Sequence, residues 1–233
     1  MLPGKFPHGN CPEKVVLSWS GGKDCALALY ELERWKYEVC AFLTTVTEEY
    51  DRISMHGVRR VLLEKQAASL GIPLDMVLIS KDVSSEEYSL KMQKACEKYK
   101  GDKVTTMAFG DIFLEDVRRY REENLASAGM KALFPLWGRD TVELAHAFIQ
   151  LGFKGIITCI DSQVLDRALV GNLFDLQFLS SLPDSVDPCG ENGEFHSFVY
   201  DGPTFNEPIS CKTGEVILRE NRFYLCDVIP GFC

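Results

Sequence analysis

The sequence predicts an α/β fold: a parallel-sheet domain over residues 1–135, then a smaller α+β domain over residues 136–233. Three observations carry this expectation. Short apolar runs alternate with longer helix-patterned stretches through the first half. A glycine-rich loop joins the first of those runs to the first helical stretch. After about Pro183 the chain becomes rich in Gly, Pro, Asp and Glu, with β-type runs between turn signals.

The elements follow in order. Val15-Val16-Leu17 is the first strand run, and residues 26–36 read as a helix with Leu27, Leu29, Tyr30 and Leu32 on its apolar side. Residues 39–46 are β-branched and aromatic, a second strand. Residues 58–70 are helical in pattern, and Gly71 supplies the stop. Residues 74–79 make a third strand. Ser84 or Ser85 caps a helix reaching about Tyr99, with Glu86 and Glu87 at the positive end of its dipole. Residues 104–109 form a fourth strand, followed by Gly110-Asp111 and a charged helix over about 114–128. Beyond a boundary placed near Leu136, residues 141–151 read as helix, 155–160 as strand, and 195–200 and 216–228 as strands separated by turns. No repeat or low-complexity linker is visible.

In a parallel sheet, ligands bind beyond the carboxyl ends of the strands. The stretches 20–22, 44–47 and 110–111 all fall there, so three polar loops are expected to converge on one edge.

Composition narrows the function classes. At 46% hydrophobic and 25% charged the chain has material for an ordinary globular core. A net charge of -9 argues against a nucleic-acid binder, which needs a surplus of cations against phosphate. Nine cysteines are an odd number, no Cys-x-x-Cys pair occurs, and Cys25, Cys40 and Cys159 lie in or beside apolar segments. The opening MLPGKFPHGN has no apolar signal core, and no stretch approaches the roughly 20 apolar residues of a membrane span. A reduced, cytoplasmic protein without membrane partners is expected.

Ser18-Trp19-Ser20-Gly21-Gly22-Lys23-Asp24-Cys25 carries the chemistry of the first half. Two glycines let backbone approach a ligand, and the N–H groups at the helix start form an anion site. Ser20 adds a hydroxyl donor and Lys23 a positive charge. Asp24 suits Mg²⁺ or a helix cap. A Walker loop would need glycine five residues before the Gly-Lys pair, where Leu17 stands. A plain glycine turn would account for the two glycines, but not for Ser, Lys and Asp in register with them.

The second loaded stretch is Asp187-Pro188-Cys189-Gly190-Glu191-Asn192-Gly193-Glu194-Phe195-His196-Ser197-Phe198. Acids and an amide around glycines can bind ammonium, a cationic substrate or Mg²⁺, and can accept a proton from an amine. A polar hairpin is the plain alternative. Cys189 and His196 have the wrong spacing for a short zinc motif.

The loop resembles the PP-loop of ATP pyrophosphatases, Ser-Gly-Gly-x-Asp-Ser, with Cys25 in place of the last serine. Together with DPCGENGEFHSFVYDGPTF, and with the middle run Phe109-Gly110-Asp111-Ile112-Phe113-Leu114-Glu115-Asp116 and Tyr120-Arg121-Glu122, it resembles the diphthine–ammonia ligase family. The likeness runs from about Lys14 to Ile217 and is nearest to the compact prokaryotic branch.

That resemblance implies a HUP-like, PP-loop nucleotide-binding domain followed by a substrate domain. It implies ATP and Mg²⁺, and a reaction in which a carboxylate, small or protein-borne, is adenylated and amidated by ammonia with release of AMP and pyrophosphate. Lys23, Asp111, Glu191 and Glu194 are then the expected catalytic residues. Ser18, Ser20, Gly21, Gly22, Lys23, Asp24, Cys25, Thr44, Thr45, His56 and Gly110 are expected to hold ATP, with Asp24 as the metal ligand. Glu191, Asn192, Glu194 and His196 are expected at the acceptor or ammonia site. Arg118 and Arg121 are candidates to neutralise an anion, although helix-surface salt bridges are the commoner fate of such residues. A homodimer stays open. The competing readings are a PP-loop enzyme of cobalamin-related or tRNA-modifying chemistry, and an ATP-binding sensor without turnover.

Overall fold

Val15, Val16 and Leu17 are wholly buried, which is why the first run is uninterruptedly apolar: its strand is covered on both faces. The structure, a computed structural model, describes residues 12–53 and 57–231. In chain order the elements begin with β1 (Lys14–Ser18), α1 (Lys23–Arg34), β2 (Glu38–Thr47), a single 3-10 turn, β3 (Arg52–Ile53), α2 (Arg60–Leu70) and β4 (Leu74–Ile79). They continue through α3 (Ser85–Gly101), β5 (Thr106–Ala108), α4 (Glu115–Ser127), β6 (Lys131–Leu133), α5 (Thr141–Gln150) and β7 (Lys154–Asp161). The last are α6 (Leu176–Ser181), β8 (Phe195–Asp201), β9 (Cys211–Arg219) and β10 (Phe223–Pro230).

Five strands make the expected parallel sheet. β2 pairs with β1 on one side and β4 on the other, and β5 and then β6 continue beyond β1. The chain therefore steps outward from β1 to β4, then crosses back to the other side of β1 at β5. The strand order reverses between β1 and β5, where an open parallel sheet leaves a ligand crevice. β3 adds a short antiparallel pairing to the far end of β2.

The second sheet is antiparallel, in the order β8-β7-β10-β9. Seven of the eight residues of β7 are buried, so this inner strand too reads as continuous apolar sequence. The stretch anticipated as one β region over 216–228 is a hairpin, turning at Glu220 and Asn221, both with φ of 51°. β3, β6 and α6 were not anticipated; each is too short to show periodicity.

On one face of the parallel sheet α3 and α4 bury Val16, Leu43 and Met107 against Cys96, Tyr99 and Leu125. On the other face Leu17 and Phe42 join Leu29 of α1, Leu62 and Leu63 of α2, and Ile156 and Phe198 of the second sheet. One apolar cluster thus runs across both sheets, and Leu136 is buried within it. Trp19 stacks on Phe42 at 4.2 Å between ring centroids beneath the glycine loop.

Candidate functional site

The loop between β1 and α1 is shaped by its glycines. Gly21 has φ of +78°, and a Cβ there would stand 2.7 Å from Gln66 Oε1. Gly22 caps α1 in extended conformation with no side-chain cap of its own. The Asp24 and Cys25 N–H groups of the first turn are left to a ligand, at the positive end of the dipole, while that of Lys23 is taken by Ser197. Cys25 braces the loop: its Sγ lies 3.4 Å from the donating N–H of Ser20 and 3.2 Å from Ser20 Oγ. Burial pushes its thiol above the usual value, so it stays protonated.

Gln66 holds this loop from below. Wholly buried on α2, it accepts from Trp19 Nε1 at 2.9 Å and donates to the carbonyls of Gly21, at 3.1 Å, and Val199 of β8. The N–H of Val199 also donates to the Gly21 carbonyl at 2.9 Å, and the Lys23 N–H donates to Ser197 Oγ at 3.1 Å. The glycine loop is thus fastened to the second sheet by backbone and side chain together.

Lys23 is 3% exposed, its ammonium 2.9 Å from both Asp24 carboxylate oxygens and 5.4 Å from the centre of the Phe195 ring. Burial pulls its pKa down, and Asp24, with Cys189 and Glu191, more than offsets this, leaving it raised: Lys23 is a buried ammonium.

Across the crevice, Gly110 follows β5. A Cβ there would meet the Asp24 carbonyl carbon at 2.9 Å, so only glycine lets this strand end approach the start of α1. Asp111 pairs with Arg121 of α4 at 2.6 Å, and the Arg121 guanidinium lies over Phe109 at 4.4 Å.

The late motif closes the site. Asp187 Oδ1 accepts the N–H groups of Cys189 at 2.9 Å and Glu191 at 3.2 Å, folding the turn back on itself. Glu191 reaches across to accept the Ile112 N–H at 2.7 Å, joining the turn to the loop after β5. Burial pushes its carboxyl up to about 7, against the pull of that N–H and with Asp24 adding to the rise. Burial, then Lys23, hold His196 down to about 4, a neutral imidazole at pH 7.

These parts enclose a cavity of about 450 Å³. Of the anticipated residues, Ser18, Ser20, Gly22, Lys23, Asp24, Cys25, Thr44, Thr45, Gly110, Asp111, Arg121, Glu191 and His196 line it. Four do not. Arg118 pairs with Glu122 at 2.8 Å on the surface of α4, its guanidinium over the Trp137 ring. Gly21 is turned under the loop against Gln66. Glu194 is buried inside its own turn, accepting the N–H groups of Asp187 and Asn192 and the Asn192 amide at 3.0–3.1 Å. Asn192 is occupied by that contact and exposed. His56 lies outside the described residues.

The sequence reading missed part of the lining. Ile79, Tyr88, Met92 and Phe109 give one side of the cavity an apolar wall suited to a base, and Tyr88 and Met92 sit four apart on one face of α3. Ser197 of the late motif also lines it. Gln66 left a signal, as a lone amide among Leu62, Leu63 and Ala67 on an apolar helix face. Among the described residues no cluster of three or more His, Cys, Asp or Glu could hold a metal by itself. Asp24 and Asp111 suit an ion shared with phosphates, because Mg²⁺ in such sites commonly takes one or two carboxylates plus phosphate and water.

Two family models match the chain: the diphthamide synthase N-terminal domain over residues 13–132 and the diphthamide synthase C-terminal domain over residues 140–228. Among similar proteins, the diphthine–ammonia ligase of Schizosaccharomyces pombe is 26% identical over 88% of this chain, which spans 37% of that longer protein. That of Danio rerio is 24% identical over 89% of this chain and 90% of its own length. Among solved structures, the U34-tRNA thiolase NcsA from Methanococcus maripaludis is similar over 61% of this chain and 59% of its own, with 16% identity and a TM-score of 0.39. Among the described residues no helix is long and apolar enough to cross a membrane.

Proposed function

Since the chain belongs to the diphthamide synthase family, matched through both its domains, we propose that it is an ATP-dependent amide-forming ligase of the diphthine–ammonia ligase type. The observation that carries the reading is a single cavity containing three things: an open helix N-terminus with a buried ammonium, an apolar wall for a base, and a carboxyl with a pKa near 7. On this reading residues 1–135 bind ATP and residues 136–233 complete the acceptor site.

A carboxylate oxygen of the acceptor attacks the α-phosphorus of ATP. The bond to the β-phosphate oxygen breaks and pyrophosphate leaves. Ser20, Gly22, the Lys23 ammonium and the Asp24 and Cys25 N–H groups of α1 meet the negative charge that builds on the departing group. Thr44 and Thr45 face the nucleoside, with Ile79, Tyr88 and Met92 against the base. Ammonia then attacks the acyl carbon of the mixed anhydride. Its surplus proton passes to Glu191 Oε2, since Oε1 is engaged with the Ile112 N–H, and AMP departs. Asp24, with Asp111 opposite, would hold Mg²⁺, which supplies charge neutralisation on the phosphates. Glu194 acts at a remove, by shaping the turn that carries Glu191.

The test is product analysis with ATP, Mg²⁺, ammonium and a diphthine-bearing acceptor, or extract from the source cells. AMP and pyrophosphate should appear only with the acceptor. They should fall on the order of 10²-fold or more in Lys23→Ala, which removes a preorganised positive charge. ADP and phosphate as products would overturn the reading.

A further inference from the structure

Two further cavities adjoin the one described above. One meets it at Ile53 and His196. The other, of about 110 Å³, lies behind its apolar wall, in the groove between α3 and α4. Tyr88, Met92, Phe109 and Arg121 line both this groove and the main cavity, so those four side chains are the partition. Beyond them the floor of the groove is Cys96, Leu125 and Ala128, all buried and none charged.

The four are not equally free to yield. The Arg121 guanidinium is paired with Asp111 at 2.6 Å and lies over Phe109 at 4.4 Å. Phe109 is 5% exposed and stacks on Phe134 at 5.6 Å. Tyr88 is a stiff ring with few torsions. Met92, one turn further along α3, is an unbranched thioether held by packing alone. Cutting it back would join the two spaces. The groove by itself falls short of the roughly 150 Å³ that holds a benzene ring, and the thiomethyl end of Met92 supplies the difference.

We propose that Met92 is a specificity-determining residue: it closes the α3–α4 groove and so confines the site to nucleotides whose base carries no bulky apolar substituent. With Met92 shortened, the groove becomes a subsite for a neutral ring attached to the base. The assignment rests on the reading above that the base lies against Tyr88 and Met92. It adds which bases the site refuses and which residue refuses them.

The probes are ATP analogues with a benzyl group on N6, or a phenyl group on C2 or on C8, titrated calorimetrically beside ATP with no acceptor present. Wild type should bind the analogue whose ring points at Met92 at least about tenfold more weakly than ATP, because the ring must displace a packed side chain. Met92→Ala should bind that analogue at least about tenfold more tightly than wild type does, and Met92→Val should gain less. Ala128→Leu fills the groove from its floor. It should cancel the gain in the Met92→Ala background and, alone, leave the affinity for ATP unchanged. Measurable ATP binding shows that each variant is folded. The proposal is overturned if wild type binds all three analogues as tightly as ATP, if none of them gains in Met92→Ala, or if the gain survives Ala128→Leu. Wild type that binds ATP but forms no AMP with any acceptor would defeat the ligase reading alone; wild type that binds no ATP would defeat both.

Discussion

Replacing Gln66 with leucine removes the brace beneath the glycine loop while keeping nearly the same volume, so the effect isolates its hydrogen bonds. Three groups lose their partner: Trp19 Nε1–H, the Gly21 carbonyl and the Val199 carbonyl. Gly21 O keeps the Val199 N–H, so its loss is the smallest. Trp19 is 1% exposed and Val199 wholly buried, so water cannot readily substitute at those two. At about 1–3 kcal/mol for each orphaned buried polar group, two such groups cost about 2–6 kcal/mol. With a urea slope of about 1–3 kcal/mol/M, the unfolding midpoint should fall by about 0.7 M or more. A second readout follows from what Gln66 spans. It ties the loop of the parallel sheet to β8 of the other sheet, so affinity for ATP should fall at temperatures where the variant is still folded. Urea titration followed by tryptophan fluorescence, with Trp19 directly at the site, measures the first; calorimetric titration of an ATP analogue measures the second. A midpoint within about 0.3 M of wild type, with unchanged nucleotide affinity, would refute the account of Gln66 as the link between loop and second sheet.

Three further perturbations follow from the same geometry. Glu191 has a carboxyl raised to about 7 by burial, so activity that needs it as a base should rise through pH 7, and Glu191→Gln should abolish that limb of the kcat profile. Because the folded state holds this proton more tightly than the unfolded one, the Glu191 contribution to stability is present below about pH 4.5 and lost as pH rises toward 7; denaturation midpoints across this window, wild type against Glu191→Gln, check the sign. Gly110→Ala puts a methyl group 2.9 Å from the backbone of Asp24, forcing β5 and α1 apart; ATP binding should weaken at least about tenfold in equilibrium titration, with the far-UV spectrum retained. Cys25→Ser keeps a small acceptor for the Ser20 N–H, so kcat/KM for ATP should stay within about threefold of wild type, whereas Cys25→Ala should lose more.

Much of the fold can be read without coordinates, and the reason is local. β1 and β7 are buried on both faces, so their burial is written as continuous apolar sequence. The helices of the first sheet carry the 3.6-residue pattern that places them on its faces. Elements of two or three residues, such as β3 and β6, have no period to read and exist because a neighbouring strand offers a free edge. The single β region expected over 216–228 divides in two because Glu220 and Asn221 adopt left-handed backbone, and neither residue is a glycine that would have announced the turn.

At the site the division falls between chemistry and orientation. The glycine loop is legible because glycine, serine and lysine shape it through their own backbone and side chains, over neighbouring positions. Glu191 and Glu194 could not be told apart in that way. They stand three residues apart in one polar stretch, both acidic and both beside glycine. Closure of the turn then directs one carboxylate inward, onto the N–H groups of Asp187 and Asn192, and the other across the crevice to Ile112, where burial raises its pKa. The sequence by itself determined the sheet, the glycine loop between β1 and α1 and the acidic character of the late motif, because each depends on residues near one another in the chain. Only the tertiary structure decided which acid faces the cavity, that Ser197 and Gln66 secure the loop, and that a second cavity meets the first at His196. Those depend on desolvation and on contacts between residues far apart in the chain, which no local pattern encodes.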